Sequence, residues 1–176
     1  MTIGGIAAPL YYVSPGQVNA QVPFELLPGH QYQIQVTNAG GVSMPDVVNI
    51  VAAAPGMGNI VGRTLATHAD GSLVSQSSPA KPGETVVAYM TGMGTTQLTL
   101  STGAASPNGP NPTAVAPTVT VGGTNAAVAY AGTTPGLVGL YQVNFQVPPN
   151  AATGDLFMSV TQGSVTSNQT LLSVSQ

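Results

Sequence analysis

Short segments in which apolar and polar residues alternate run along the whole chain, separated by glycine and proline. Residues 141–147 alternate at a period of two, as a half-buried strand does. Residues 84–90 and Thr118–Val121 are rich in valine and threonine, which favour strands. Glycine or proline interrupts every apolar stripe at helical spacing. The pattern therefore predicts an all-β protein built as a sandwich or barrel of short strands.

An internal repeat is the most informative feature of this pattern. Residues 2–12 parallel residues 120–130, and each copy carries a Gly-Gly pair at the same place. Residues 17–23 read Gln-Val-Asn-Ala-Gln-Val-Pro and residues 142–148 read Gln-Val-Asn-Phe-Gln-Val-Pro. The later blocks keep the same order: Val36-Thr37 with Val160-Thr161, and the expected strands 47–51 with 170–174. Order preserved over several blocks indicates two related units.

The repeat predicts a partial unit over residues 1–54, a linker over 55–59 and a complete unit over 60–176. The first unit begins at its Gly-Gly turn, so it is expected to lack the strands that precede this turn in the second unit. Half a sandwich of this size buries too little surface to fold alone, and its free strand edge needs a cover. The second unit, a neighbouring chain or upstream residues of the natural protein could each provide it. Self-association through this open edge is therefore expected.

The second unit carries a set of turn and strand motifs: Pro82-Gly83 before 86–89, Gly92-Met93-Gly94, residues 119–123, Val147-Pro148-Pro149, Gly154 and the turn at Gly163. With these motifs the unit resembles the IPT/TIG immunoglobulin-like domain over about residues 80–175. This resemblance implies an immunoglobulin-like β-sandwich for each unit, truncated on its N-terminal side in the first.

Four segments of the sequence are distinctive: residues 12–23, 70–73 (Asp-Gly-Ser-Leu), 79–83 (Pro-Ala-Lys-Pro-Gly) and 135–144. In these segments the chain is similar to an uncharacterised C-terminal domain family of secreted acidobacterial proteins, and the similarity spans nearly all of the sequence. It implies a secreted or cell-surface location at the end of a larger exported protein, but no activity and no catalytic residues.

Charge is almost absent from this chain, which has two basic and five acidic residues and a net charge of −3. Nucleic-acid binding by counterion release needs several Lys or Arg side chains, so no nucleic-acid partner is expected. No apolar stretch is long enough for a transmembrane helix, and no membrane insertion is expected. Residues 1–5 do not have the form of a signal peptide, so an export signal would lie upstream.

Few residues could carry acid–base or metal chemistry. His68 lies two residues from Asp70 and near Ser72, which leaves open a weak hydrolase that uses His68 and Asp70. Asp70-Gly71 is also a turn dipeptide, and an exposed turn is the favoured explanation of these residues. His30 follows a Pro-Gly loop and is expected to be exposed. Two histidines, isolated acids and no cysteine predict no metal site and no cofactor.

Exposed aromatic rings could stack on a sugar. The adjacent pair Tyr11-Tyr12 must point to opposite faces of a strand, so at least one of them is a candidate ligand contact. The sequence thus favours a non-catalytic extracellular module that serves structure, spacing or adhesion. The alternatives are a module that binds cell-wall or plant polysaccharide through Tyr11 and Tyr12, and the weak hydrolase.

Overall fold

The computed structural model describes every residue from Met1 to Gln176. It contains no helix, and 48% of the residues lie in strands, which confirms the prediction of an all-β chain. The chain forms two compact units. The first comprises Met1–Ala52 and Thr99–Ala105, and the second comprises Ala53–Leu98 and Ser106–Gln176.

The first unit contains one small sheet and two hairpins. The sheet has the order β2-β1-β5-β8, and the hairpins are β3-β4 and β6-β7. Its small core is formed by Ile3, Ala8 and Leu26. The strands are β1 (Thr2–Ile3), β2 (Ile6–Ala7), β3 (Leu10–Ser14), β4 (Gln17–Ala20), β5 (His30–Gln35), β6 (Thr37–Asn38), β7 (Gly41–Val42) and β8 (Asp46–Ile50).

The second unit contains an 11-stranded sheet, whose main path is β10-β11-β19-β17-β14-β15-β16-β13-β12. Strand β18 pairs with β17, and β9 pairs with β13. The strands are β9 (Gly56–Met57), β10 (Asn59–Ile60), β11 (Arg63–Thr64), β12 (Ala66–Thr67), β13 (Thr85–Thr91), β14 (Thr118–Val121), β15 (Thr124–Thr133), β16 (Tyr141–Gln146), β17 (Gly154–Gln162), β18 (Val165–Thr166) and β19 (Thr170–Val174).

Alternation along the strands builds the core of the second unit. In β16 the odd-numbered side chains are buried and those between them are more exposed, as the period of two requires. The largest fully buried apolar side chains are Phe145, Met90, Met93, Met158, Leu172, Val86, Val119, Val121, Val143, Val147 and Val160. The stretch 55–59, which was expected to be a linker, contains β9. Met57 of this strand is buried in the core of the second unit.

The two Gly-Gly turns have the same geometry in both units. Gly4 and Gly5 have φ angles of 60° and 79°, and Gly122 and Gly123 have φ angles of 56° and 79°. These left-handed conformations suit glycine and close tight antiparallel hairpins. The pairing Ile3↔Ile6 beside the first turn corresponds to Val121↔Thr124 beside the second.

The next hairpin repeats a bulge as well as a register. In the first unit Tyr12 pairs with Asn19, and the register shifts between Leu10 and Tyr12. In the second unit Tyr130 pairs with Asn144, and the register shifts between Val128 and Tyr130. The sequence alignment matches Tyr12 with Tyr130, so the bulge falls at the same place in both copies.

The C-terminal halves of the units also share one register. His30↔Ile50 and Ile34↔Asp46 in the pair β5·β8 correspond to Gly154↔Val174 and Met158↔Thr170 in β17·β19. The last strand of the first unit is therefore Asp46–Ile50, one residue earlier than the predicted 47–51. Each unit also has a short hairpin whose closing serine bonds the backbone in the same way. Val36 N–H donates to Ser43 Oγ, and Val160 N–H donates to Ser167 Oγ, both at 3.0 Å.

The units differ at one strand edge. Strand β16 pairs with β15 on one side and with β13 on the other. Its counterpart β4 pairs with β3 alone. The same difference shows in burial, because Val147 is fully buried whereas its counterpart Val22 is 46% exposed.

Candidate functional site

A surface depression of about 660 Å³ in the second unit gathers four of the chain's nine acidic, basic and histidine residues. His68, Asp70, Ser78 and Glu84 all line it. His68 directly follows β12 and opens a tight turn, in which His68 N–H donates to Ser72 O at 2.9 Å. Glu84 directly precedes β13. Because β12 and β13 are antiparallel neighbours, the two side chains are brought to the same place.

His68 and Glu84 form a short hydrogen-bonded pair. The distance from His68 Nδ1 to Glu84 Oε1 is 2.5 Å, and the two side chains are only 15% and 23% exposed. The other carboxylate oxygen of Glu84 accepts the backbone N–H of Lys81 at 2.8 Å. Both oxygens of Glu84 are thus occupied, and the carboxylate is held in one orientation toward the ring.

The hydrogen bond to Glu84 raises the pKa of His68, and the carbonyl of Ser78 adds to this effect. Ser78 O lies 3.2 Å from His68 Nε2. A ring with an acceptor at each nitrogen is best satisfied when both nitrogens carry protons. The surroundings therefore stabilise the imidazolium form.

Ser78 completes a row of hydroxyl, imidazole and carboxylate that has the composition of a hydrolase triad. Its Oγ lies 3.3 Å from His68 Nε2. A triad histidine must be a neutral base at that nitrogen in order to take the serine proton. Here the carbonyl of Ser78 lies closer to the same nitrogen than its hydroxyl does, and the ring is biased toward the protonated form. These bonds connect the ends of β12 and β13 with the 75–78 turn.

The carboxylate of Asp70, which the hydrolase alternative paired with His68, makes its hydrogen bonds elsewhere. Asp70 Oδ1 accepts both the backbone N–H of Ser72 at 2.9 Å and its hydroxyl at 2.6 Å. These bonds lower the pKa of Asp70 and make it the cap of its own turn. Sequence reasoning missed Glu84, because the two strands that join it to His68 are separated along the chain.

Tyr11 and Tyr12, the candidate ligand contacts, are both on the surface of the first unit. They are 53% and 51% exposed. The bulge in β3 falls at Tyr11, and the extra residue breaks the strict alternation of faces that a regular strand would impose. Two neighbouring rings are therefore exposed where the sequence required only one.

Comparison with the second unit shows what Tyr12 lacks. Tyr130, its counterpart, donates its hydroxyl to Thr133 O at 3.1 Å and accepts Asn111 N–H at 3.2 Å. The hydroxyl of Tyr12 has no such partner within the chain. Tyr141 is buried, and Tyr32 packs against the core of the first unit.

A second charged group ties three strands of the second unit together. Arg63 binds Asp155 through two parallel bonds, from Nη1 to Oδ1 at 2.7 Å and from Nη2 to Oδ2 at 2.8 Å. Ser173 Oγ donates to Asp155 Oδ1 at 2.8 Å, and Gln76 Nε2 donates to Oδ2 at 3.1 Å. The guanidinium of Arg63 holds the pKa of Asp155 well below its usual range. The carboxylate of Asp155 thus accepts four hydrogen bonds from side chains of this cluster.

His30, the other histidine, is exposed at the start of β5, as predicted. Its Nδ1 lies 3.1 Å from Pro28 O, and its ring lies 6.3 Å from that of Tyr32. No group of three or more His, Cys, Asp or Glu side chains is arranged to hold a metal ion. The model contains no helix that is long and apolar enough to cross a lipid bilayer.

No protein-family model, curated protein or solved structure was found to match this chain. The geometry of the chain and the motifs in its sequence therefore carry the inference of its function.

Proposed function

We propose that this chain is a non-catalytic structural, spacer or adhesion module of a larger secreted or cell-surface protein. The observation that carries the proposal is the repeated strand register. Two copies of one β framework keep the same turns, the same bulge and the same hairpins, while no reactive group recurs between them. The duplicated feature is the β framework and not a reactive site. Duplication of a framework is typical of structural and spacer modules.

The finer classification is part of the same proposal. Each unit is an immunoglobulin-like sandwich of the IPT/TIG type, and the first lacks the strands that would precede its Gly-Gly turn. The acidobacterial C-terminal domain family remains the proposed relative, supported by strings such as residues 12–23 and 135–144. An extracytoplasmic location follows from that resemblance. The polar, nearly uncharged composition of the chain is compatible with it.

The test of this proposal is a search for turnover in the depression around His68. The purified chain is incubated with chromogenic esters, amides and glycosides, beside a His68→Ala variant. We expect equal background rates, because both ring nitrogens of His68 are engaged by Glu84 and Ser78. Hydrolysis by the wild-type chain that disappears in His68→Ala would refute the non-catalytic assignment.

A second candidate function is carbohydrate binding, favoured by the two neighbouring exposed rings of Tyr11 and Tyr12. A surface that pairs aromatic rings with a free hydroxyl can stack on a sugar and bond to it. A glycan array probed with the wild type, Tyr11→Ala and Tyr12→Ala tests this site. Phe157→Ala is the matched control, since Phe157 is an exposed ring of the second unit. Binding that survives in both tyrosine variants would exclude the site.

A further inference from the structure

The edge of β4 in the first unit is open. Residues Gln17–Ala20 pair with β3 and with no other strand. An open edge presents unpaired backbone N–H and C=O groups, which natural proteins usually protect with lysine, proline or a covering loop. The strand itself reads Gln-Val-Asn-Ala and contains neither lysine nor proline. No charged side chain and no proline therefore blocks pairing with another strand at this edge.

The second unit shows what pairs with this edge. Strand β16, the counterpart of β4, is joined on that side by the antiparallel strand β13. Val86 lies opposite Phe145, and Ala88 lies opposite Val143. All four side chains are fully buried in the core of the second unit. The edge in the second unit is therefore completed by an extended segment with small or branched apolar residues at alternate positions.

The apolar face of the β3-β4 hairpin is more exposed than the same face of β15-β16. Val13 pairs with Val18 of β4 and is 64% exposed. Its counterpart Ala131 pairs with Val143 and is 7% exposed. The alternation of the hairpin places Val13 and Val18 on one face, as it does Ala131 and Val143. An added strand would lie directly beside β4 and would place its own side chains next to Val18 on this face.

Another segment of the first unit already lies at one end of the β4 edge. This segment limits the length of any strand that could be added there. In the second unit the side chain of Gln146 donates to Gly83 O at 2.9 Å, just before β13 begins. In the first unit Gln21, the counterpart of Gln146, accepts Gly103 N–H at 2.8 Å. Gly83 and Gly103 have similar φ angles of 82° and 81°. The segment Thr99–Ala105 thus occupies the lead-in to the strand but not its body.

We propose that the open edge of β4 binds an extended, uncharged polypeptide segment as an added antiparallel strand. The segment spans the positions equivalent to Val86–Met90 and pairs with residues 16–20. Its backbone supplies the hydrogen bonds, and its alternate apolar side chains pack beside Val18. A second copy of the chain cannot lend its own β13, which pairs with β16 on one side and with β12 and β9 on the other. This inference is independent of the proposed function, because a catalytic chain could bind a strand in the same way.

The test uses the full 176-residue chain and a fluorescein-labelled synthetic peptide with the uncharged sequence of residues 85–91. We expect saturable binding by fluorescence anisotropy, with one peptide per chain. A Val18→Lys variant should bind at least about tenfold more weakly, a change of about 1.4 kcal/mol, because a lysine then lies directly beside the apolar side chains of the added strand. Val42→Lys is the control. Val42 is 62% exposed in the same unit but lies in the β6-β7 hairpin, so its substitution should change nothing.

A second peptide, in which the residue equivalent to Ala88 is proline, tests the role of the backbone. Proline removes an N–H from the added strand, and binding should be lost. Absence of binding by the unmodified peptide, or equal binding by the wild type and Val18→Lys, would overturn the proposal. Equal binding would mean that the peptide replaces β13 in the second unit instead. Light scattering should show a monomer. A dimer that Val18→Lys abolishes would assign the edge to a second copy and overturn the proposed occupant.

Discussion

The two units of this chain share one pattern of strand pairing but differ in how much of it they bury. The string Gln-Val-Asn-x-Gln-Val-Pro forms β16 and its end in the second unit, where Val143 and Val147 are fully buried. In the first unit the same string forms β4, with Val22 46% exposed. Turns and alternation, which are local, thus determine register. Burial depends on strands that come from distant parts of the sequence.

The largest expected effect sharpens this contrast in the core of the second unit. Phe145→Ala removes a fully buried ring between β13, β15 and β16, and it should cost about 3–5 kcal/mol of unfolding free energy. The counterpart in the first unit is already alanine, Ala20. Chemical denaturation, with hydrogen exchange at the Val160 amide as the readout, would measure this loss of unfolding free energy. Phe157→Ala, at a ring that is 62% exposed, is the control, and an equal loss there would contradict the burial difference.

A matched pair of valines compares the units directly. Val147→Ala removes two carbons from a fully buried position and should cost about 2 kcal/mol. Val22→Ala makes the same change at the same point of the repeat, where the side chain is half exposed, and should cost under about 1 kcal/mol. Hydrogen exchange of β16 and β5 amides would report each unit separately. Equal losses would mean that the shared register carries shared burial, contrary to the comparison.

The features that could be predicted from the sequence are the local ones. Gly4-Gly5 and Gly122-Gly123 identify their turns because glycine adopts left-handed conformations readily. Strand Thr118–Val121 was located to the residue, and the strand predicted over 84–90 is observed at Thr85–Thr91. The repeat made these assignments stronger, since each turn was seen twice in the same order.

The features that could not be predicted depend on contacts between distant residues. Glu84 bonds His68 only because β12 and β13 are antiparallel neighbours, and no spacing rule connects the two residues. Thr99–Ala105 belongs to the first unit although the repeat gives no reason to place it there. The bulge at Tyr11 is equally hidden, because a bulge depends on the partner strand.

The Gly-Gly turns test how far the repeat extends into side-chain packing. Alanine at Gly4 or at Gly122 adopts a left-handed conformation at a cost of about 1–2 kcal/mol in either unit. A Cβ at Gly4 would lie 2.6 Å from Tyr32 Cδ1, whereas a Cβ at Gly122 would lie 3.4 Å from Leu156 Cδ1. Tyr32 is held in place, because its hydroxyl accepts Leu27 N–H at 3.1 Å. Gly4→Ala should therefore cost about 1 kcal/mol more than Gly122→Ala.

Hydrogen exchange of the β5 and β17 amides would measure these two losses. Gly5→Ala is the control for Gly4→Ala, since Gly5 has a similar positive φ but no atom near its added Cβ. It should show only the conformational cost. If Gly4→Ala and Gly122→Ala cost the same, the packing around the two turns is equivalent, and the difference between Tyr32 and Leu156 has no energetic consequence.

The smallest expected effect is a pH dependence of stability that comes from the His68–Glu84 pair. This pair lies in a part of the second unit that has no counterpart in the first. Because Glu84 raises the pKa of His68 in the folded state, the stabilisation is fully present below the ordinary value of 6.5. It is lost as the pH rises through the higher folded-state pKa. The pair is partly exposed, so its contribution is about 1 kcal/mol or less. Denaturation midpoints measured well below and well above pH 6.5 should converge in Glu84→Gln. Glu25→Gln, at an exposed acid of the first unit, is the control and should keep the wild-type pH dependence of stability. If stability still falls with rising pH in Glu84→Gln, the pH dependence does not come from the His68–Glu84 pair.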